Sequence, residues 1–316
     1  VLAFMLAAMM MASVAVGCGN DSNTSSTEST GTDSTASTDN NEEPSEAGTD
    51  ASDVSIGSCV YKFDDTFMTG VRNTMTARAE ELGAKIDIVD SQNKQPTQNE
   101  QVDTFITKGV NALIVNPVDL TAAGPIITKA KDADLPIVLQ NRQPSEEDMN
   151  SYDKAWYVGC RAEQSGTMSG EIIADYFTAH PEADKNGDGK VQYVMIQGEP
   201  GHQDATLRSE YAPKAIEEAG FGVEQLAADT AMWDKVKATD LMAAFISSQG
   251  IDKIEAVLCN NDDMALGAIE AIKSAGLKPG EDIIIIGCDS VKAAFEAIVA
   301  GEMNCTVECT PLYADF

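Results

Sequence analysis

From Ile56 onward, short β-branched runs alternate with longer amphipathic ones. The strands this predicts are GSCVYKF (57–63), AKIDIVD (84–90), NALIVN (111–116), LPIVLQ (135–140), AWYVG (155–159), VQYVMIQ (191–197), FGVEQLA (221–227), EAVLCN (255–260), DIIIIGCD (282–289) and NCTVE (304–308). Between them fall helical stretches such as Met68–Leu82, Thr97–Lys108, Ala162–Thr178, Ala212–Ala219, Val236–Ser248, Asp263–Ala275 and Val291–Ala300. Strand–helix alternation predicts an α/β protein with parallel sheets, because a parallel strand pair needs a crossover and a helix supplies it. Two such series, divided near Gly159–Cys160, predict two doubly wound lobes.

Upstream the pattern is different. Residues 1–17, VLAFMLAAMMMASVAVG, are apolar and uncharged. The run stands at the short end of the roughly 17–25 residues a membrane span needs, and a signal-peptide core fits it better. It ends in Ala15-Val16-Gly17-Cys18, which resembles the lipobox that precedes a lipid-modified cysteine in bacterial lipoproteins. Residues 1–18 are therefore expected to be leader and lipobox, with Cys18 as the lipidation site. Residues 19–54 are rich in Ser, Thr, Asp, Glu and Gly, and too poor in apolar surface to offset the entropy of ordering. They are expected to form a flexible, self-repelling tether.

Composition narrows the partners. The 316 residues carry a formal net charge of −30, which argues against nucleic acid, since a binder must neutralise phosphates with Lys and Arg. Of seven cysteines, none shows zinc spacing. Cys59, Cys259 and Cys288 sit in or beside apolar runs and are expected to be small buried hydrophobes.

No phosphate-cradling glycine motif follows any predicted strand. The strand-to-helix turns are polar or aromatic instead: Asp64-Asp65-Thr66-Phe67, Asn116-Pro117-Val118-Asp119, Asn141-Arg142-Gln143, Gly201-His202-Gln203-Asp204, Asn260-Asn261-Asp262-Asp263 and Asp289-Ser290. Any one of them could merely cap the following helix. Their recurrence in both lobes, where open α/β sheets bind ligands, points to a ligand rich in hydroxyls. A sugar fits: Asp65, Asn141, Asp204, Arg208, Asn261 and Asp289 offer carboxylates, amides and a guanidinium to hydroxyls, while Phe67 and Trp233 offer flat rings to its C–H faces. Nothing nominates a nucleophile or an acid–base pair, so no enzyme is expected.

Ala183–Gln192 reads ADKNGDGKVQ. Asp184, Asn186 and Asp188 alternate as in an EF-hand calcium loop, but the twelfth position, where a bidentate Glu belongs, is Met195. The pattern alone leaves this site half built.

Taken in order, YKFDDTFM (61–68), DSQNKQPTQNEQVD (90–103), KGVNALIVNPVD (108–119), DKNGDGKVQYV (184–194), GEPGHQDA (198–205), DTAMWD (229–234), KIEAVLCNNDDMALGAIEA (253–271) and IIGCDS (285–290) resemble the periplasmic galactose/glucose-binding proteins that feed ABC sugar transporters. The resemblance runs from about Ile56 to Val307. It implies two lobes joined by a hinge, the type I periplasmic binding protein fold: an N-terminal lobe at 55–160, continued by 309–316, and a C-terminal lobe at 161–308. It implies that Asp65, Asn141, His202, Asp204, Arg208, Asn261 and Asp289 bind the sugar and that Phe67 and Trp233 enclose its ring. It also completes the calcium site, with Glu255 joining Asp184, Asn186, Asp188, Lys190 and Gln192 around a structural calcium. The implied protein is a monomer outside the cytoplasm, anchored through lipid alone, that passes D-galactose or D-glucose to a transporter permease.

One departure touches specificity: Cys309 stands where the family has an Asn. That keeps another sugar, such as ribose or xylose, as an alternative, beside a sugar-sensing partner for a chemoreceptor or kinase. Hinge residues are expected at Gly159–Arg161 and Val307–Thr310.

Overall fold

The computed structural model describes residues 53–308 and 311–314. Cys18 and the run before it, the tether up to residue 52, and Cys309 and Thr310 lie outside the described residues. The first lobe comprises β1 (Ser55–Val60), α1 (Thr66–Leu82), β2 (Lys85–Asp90), α2 (Gln95–Lys108), β3 (Ala112–Val115), α3 (Ala123–Asp132), β4 (Ile137–Gln140), the one-turn α4 (Glu146–Met149) and β5 (Ala155–Cys160). The second comprises α5 (Ala162–Ala179), β6 (Lys190–Gln197), α6 (Gln203–Glu218), β7 (Gly222–Thr230), α7 (Lys235–Gln249), β8 (Ala256–Cys259), α8 (Asp262–Ser274), β9 (Ile284–Cys288), α9 (Lys292–Val299) and β10 (Cys305–Val307).

The sheets run β2-β1-β3-β4-β5-β11 and β7-β6-β8-β9-β10, where β11 is Pro311–Ala314. Both lobes thus repeat one doubly wound strand order, with five parallel strands each, as the alternating pattern predicts. In each, the order reverses beside the first strand, and the carboxyl ends flanking that point form a crevice. The central strands β8 and β9 are buried at every position, as strands covered on both faces must be. Apolar clusters hold the helices to the sheets: Val102, Phe105, Leu113, Ile126 and Ile137 in the first lobe, and Met242, Val257, Ile269 and Ile285 on one face of the second sheet. Cys59, Cys259 and Cys288 are buried in these cores, and burial pushes the Cys59 thiol up to about 12.

Two elements differ from expectation. Helix α6 begins at Gln203, not Ala212, with Pro213 inside it. Its buried face is Asp204, Ala205, Arg208, Ala212, Ala215 and Ile216. The helical spacing is intact, but two of its first members are charged, which hid the stripe. Strand β11, to which no pattern was assigned, pairs antiparallel with β5, Pro311 opposite Cys160. A four-residue strand is too short to show alternation, and its Pro is at home on an edge. Since β10 belongs to the second sheet and β11 to the first, the chain crosses back between lobes after Val307. Among the described residues no helix is long and apolar enough to cross a membrane.

Candidate functional site

The polar turns cap helices and line a cavity at once. Asp65 is the N-cap of α1: its Oδ1 accepts from the Met68 amide at 2.7 Å, and its Oδ2 accepts from the Tyr61 hydroxyl at 2.5 Å. Asn261 caps α8, accepting from the Met264 amide at 2.9 Å. His202 caps α6, with Nδ1 accepting from the Asp204 amide at 3.2 Å. Asn141, Trp233 and Asp289 hold left-handed backbone, at φ of 63°, 63° and 118°. Such φ values cost free energy in residues other than glycine and cluster where a turn serves a site. Gly198 lets the Trp233 indole close over it: a Cβ there would stand 2.2 Å from the ring.

All nine residues nominated from the sequence border one cavity of about 200 Å³: Asp65, Phe67, Asn141, His202, Asp204, Arg208, Trp233, Asn261 and Asp289. Phe67 and Asn141 come from the first lobe, Trp233 and Arg208 from the second, so the cavity is an inter-lobe cleft. Gly159 and Cys160, expected in the hinge, form part of its wall. The nomination missed Tyr61, Gln140, Arg142 and Cys160, which line it too. Tyr61 and Arg142 had a signal, since each stands in or beside a polar turn. Gln140 had none, being the last residue of an apolar run.

The second lobe's wall is a buried ionic cluster. Arg208 donates through Nη1 to the Asn260 carbonyl at 2.6 Å, through Nε to the Ser165 hydroxyl at 3.1 Å and through Nη2 to Asp204 Oδ2 at 3.2 Å. Asp289 Oδ1 lies 3.8 Å from Nη1. Burial raises both carboxyls, Asp289 well above the ordinary range; for each, the Arg208 charge pulls the other way. Asp204 is 3 % exposed, and its Oδ1 has no hydrogen-bond partner among the described residues. Burial, with the charges of Arg142 and Arg208, holds His202 well below the usual imidazole range. The ring is therefore neutral, and because Nδ1 accepts, Nε2 carries the proton and is a donor. The ring also meets Trp233 edge-on, at 5.0 Å between centroids.

Contacts cross the cleft. Arg142 Nη2 pairs with Glu199 at 2.5 Å while its Nη1 donates to the Val118 carbonyl at 2.6 Å. The guanidinium lies 4.4 Å from the centre of the Tyr61 ring. Gln203 Nε2 donates to the Asn141 carbonyl at 2.8 Å, which also accepts from the Tyr157 hydroxyl at 2.9 Å.

The 184–192 loop lies away from this cleft. Gly187 and Gly189 adopt φ of 73° and 75°, and Asp184 accepts from the amides of Gly187 at 2.7 Å and Gly189 at 2.9 Å. Glu255, buried, reaches the loop from 70 positions away, accepting from the Lys185 amide at 2.7 Å and the Gln192 amide at 2.9 Å. Among the described residues no three Asp, Glu, His or Cys side chains form a metal cage by themselves. A hard cation would need the amide and carbonyl oxygens as well. The residues fit that demand: Gln192 Oε1 is buried without a partner, beside an amide group that donates to Asp188. Each Glu255 oxygen keeps a lone pair free.

Known proteins are similar to this chain in sequence and fold. The periplasmic binding protein domain family matches residues 56–310. The D-galactose/methyl-galactoside binding periplasmic protein MglB of Haemophilus influenzae is 42 % identical over 264 residues, covering 83 % of this chain and 78 % of that protein. The galactofuranose-binding protein YtfQ of Escherichia coli is 31 % identical over 263 residues, covering 83 % and 79 %. The solved structure of an ABC transporter solute binding protein from Bacillus halodurans with bound myo-inositol superposes with a TM-score of 0.69 at 32 % identity, over 81 % of this chain and 82 % of that one. With its two doubly wound lobes around a polar cleft, the chain belongs to the periplasmic binding protein domain family.

Proposed function

We propose that this protein is the sugar-binding component of an ABC importer, and that the cleft captures a monosaccharide, D-galactose or D-glucose. The observation that carries this is the composition of one cavity wall: three carboxylates, two guanidiniums, a neutral imidazole donor and three aromatic rings, drawn from both lobes. A hexose presents hydroxyls that donate and accept around apolar C–H faces. Asp65, Asp204 and Asp289 accept from hydroxyls, His202 Nε2 and Arg208 donate, and Phe67 and Trp233 cover the faces. Asn141 and Asn261 supply amides that do either. The two relatives named for galactose or galactofuranose support a sugar, and the myo-inositol complex supports a cyclic polyol of that size.

Capture proceeds by closure about the strands that join the lobes, near Gly159–Arg161 and after Val307. Domain closure around a ligand is the motion general to periplasmic binding proteins. No bond in the ligand is made or broken. The closed form then docks on a permease at the outer face of the cytoplasmic membrane, where a lipid on Cys18 would hold the protein by the 19–54 tether. A structural calcium would be held by oxygens of Asp184, Asn186, Asp188, Gln192 and Glu255 and by the Lys190 carbonyl, bracing the turn before β6.

Calorimetric titration with D-galactose, D-glucose and D-ribose tests the reading. It expects tight binding of a hexose and no product. Ribose binding alone would overturn the hexose assignment, and silence towards all three would overturn the monosaccharide reading. For the metal, calcium is expected to raise the melting temperature of chelator-treated protein and to have no effect on Glu255→Gln.

A further inference from the structure

One residue of the cleft wall has chemistry that the fold does not use. Gln140 ends β4, and its backbone is pinned: its carbonyl accepts from Asn116 Nδ2 at 3.1 Å and from the Arg142 amide at 2.7 Å. In the sheet it stands opposite Val158, another wall residue. It is 7 % exposed, and its Nε2 is buried with no hydrogen-bond partner among the described residues. A buried amide hydrogen without an acceptor is destabilising, and native proteins nearly always satisfy such groups. Met or Leu would fill the same wall without that penalty. The position is therefore built for an acceptor that enters from the cavity.

Beside it the first lobe brings the Asn141 amide and the carboxylate of Asp65, an acceptor already engaged by Tyr61 and Met68. A hydroxyl that donates to a carboxylate still needs something to donate to it. Gln140 supplies a neutral donor on this side of the cleft, opposite the charged cluster around Arg208.

We propose that Gln140 is a specificity-determining residue whose amide donates to one oxygen of the bound sugar, selecting a ligand with an oxygen there over its deoxy analogue. The proposal rests on the monosaccharide reading above. Its test compares wild type and Gln140→Met by titration with the hexose that wild type binds and with the singly deoxygenated forms of that hexose, alongside the melting temperature of each ligand-free protein.

The expected result has two parts. Gln140→Met weakens the parent hexose by about 10- to 100-fold, the scale of a hydrogen bond lost with its partner left buried. For one deoxy analogue the two proteins bind alike, so the substitution and the missing hydroxyl are coupled at a single position. The ligand-free variant melts at or above wild type, because an unmatched polar group has been removed. A merely structural Gln140 would give uniform weakening of every analogue with a lower melting temperature, and that pattern overturns the proposal, as does unchanged affinity. Failure of wild type to bind any hexose overturns the monosaccharide reading itself, and this inference with it.

Discussion

The two lobes furnish the cleft differently. On the first, Asp65 accepts from Tyr61 and from the Met68 amide, so its wall-forming carboxylate is also a helix cap. That carboxylate is shared between the buried Tyr61 and Met68, and the lobe's other wall charge, Arg142, pairs with Glu199 across the cleft. On the second, Asp204 and Asp289 are packed out of water around the Arg208 guanidinium, which also donates to the Asn260 carbonyl, the Ser165 hydroxyl and the Cys160 sulfur. Here two carboxylates face one cation, and burial raises both. The second lobe's recognition chemistry is therefore part of its core, whereas the first lobe's is laid on a helix start. Substitutions should change binding and folding together on the second lobe, and binding alone on the first.

The largest effect is expected at Arg208. Arg208→Met leaves Asp204 and Asp289 without a counter-charge, and removing one partner of a buried pair typically costs about 3–5 kcal/mol. Sugar binding is expected to vanish and the unfolding free energy to drop by an amount on that scale, with a lower denaturation midpoint. Loss of binding with an unmoved midpoint would mean that both carboxyls simply take up protons, and the contrast between lobes would collapse.

Next comes a pH effect confined to the second lobe. Asp262 accepts from the Thr306 hydroxyl at 2.6 Å and from the Val291 amide at 2.9 Å, which holds β10 and the Asp289–Ser290 turn to the start of α8. Burial pushes its carboxyl up to about 6, against those two hydrogen bonds. A native carboxyl that holds its proton more tightly than the unfolded chain stabilises the fold at low pH. That stability is complete below the unfolded value of about 4 and is lost as pH rises through about 6. Unfolding curves at pH 4 and pH 7 should show Asp262→Asn gaining on wild type over this interval by about 3 kcal/mol, the linkage for roughly two units. A gap that stays constant would remove Asp262 from the pH response.

The two doubly wound lobes could be read from the alternation, and eight of the nine wall residues from polar groups and flat rings placed where such sheets bind ligands, while His202 comes with the family resemblance. The polar turns invited the plainer view that Asn and Asp only cap helices. The structure shows the two roles coinciding, as at Asp65 and Asn261. What escaped lies in pairings with no local pattern. Arg142 meets Glu199 across 57 positions, and Gln203 meets the Asn141 carbonyl across 62. Gln140 closes an apolar run and looks like any strand end. The start of α6 is masked in the sequence because Asp204 and Arg208 occupy its buried face.

The Arg142–Glu199 pair offers a smaller effect that neither lobe owns. Arg142 keeps the Val118 carbonyl and the Tyr61 ring if Glu199 is neutralised. Glu199→Gln should therefore leave the unfolding free energy within about 1 kcal/mol, the scale of a single hydrogen bond. It should weaken sugar binding about tenfold by depopulating the closed form, since apparent affinity scales with the competent fraction. Equal losses of stability and affinity would make the pair a brace of the fold and not a latch of the cleft.

The smallest change in folding is expected at Asp65. Asn is as good an N-cap as Asp, and its amide can donate to the Tyr61 hydroxyl that formerly donated to the carboxylate. Asp65→Asn should thus melt within a few degrees of wild type. The sugar would still lose a charge-assisted acceptor, which is roughly twice as strong as a neutral one, so affinity should fall at least about tenfold. A melting temperature that falls as steeply as in Arg208→Met would show that the first lobe, too, builds its recognition into its core. An unchanged affinity would show that Tyr61 and the helix cap occupy Asp65 fully and that the second lobe alone reads the ligand's hydroxyls.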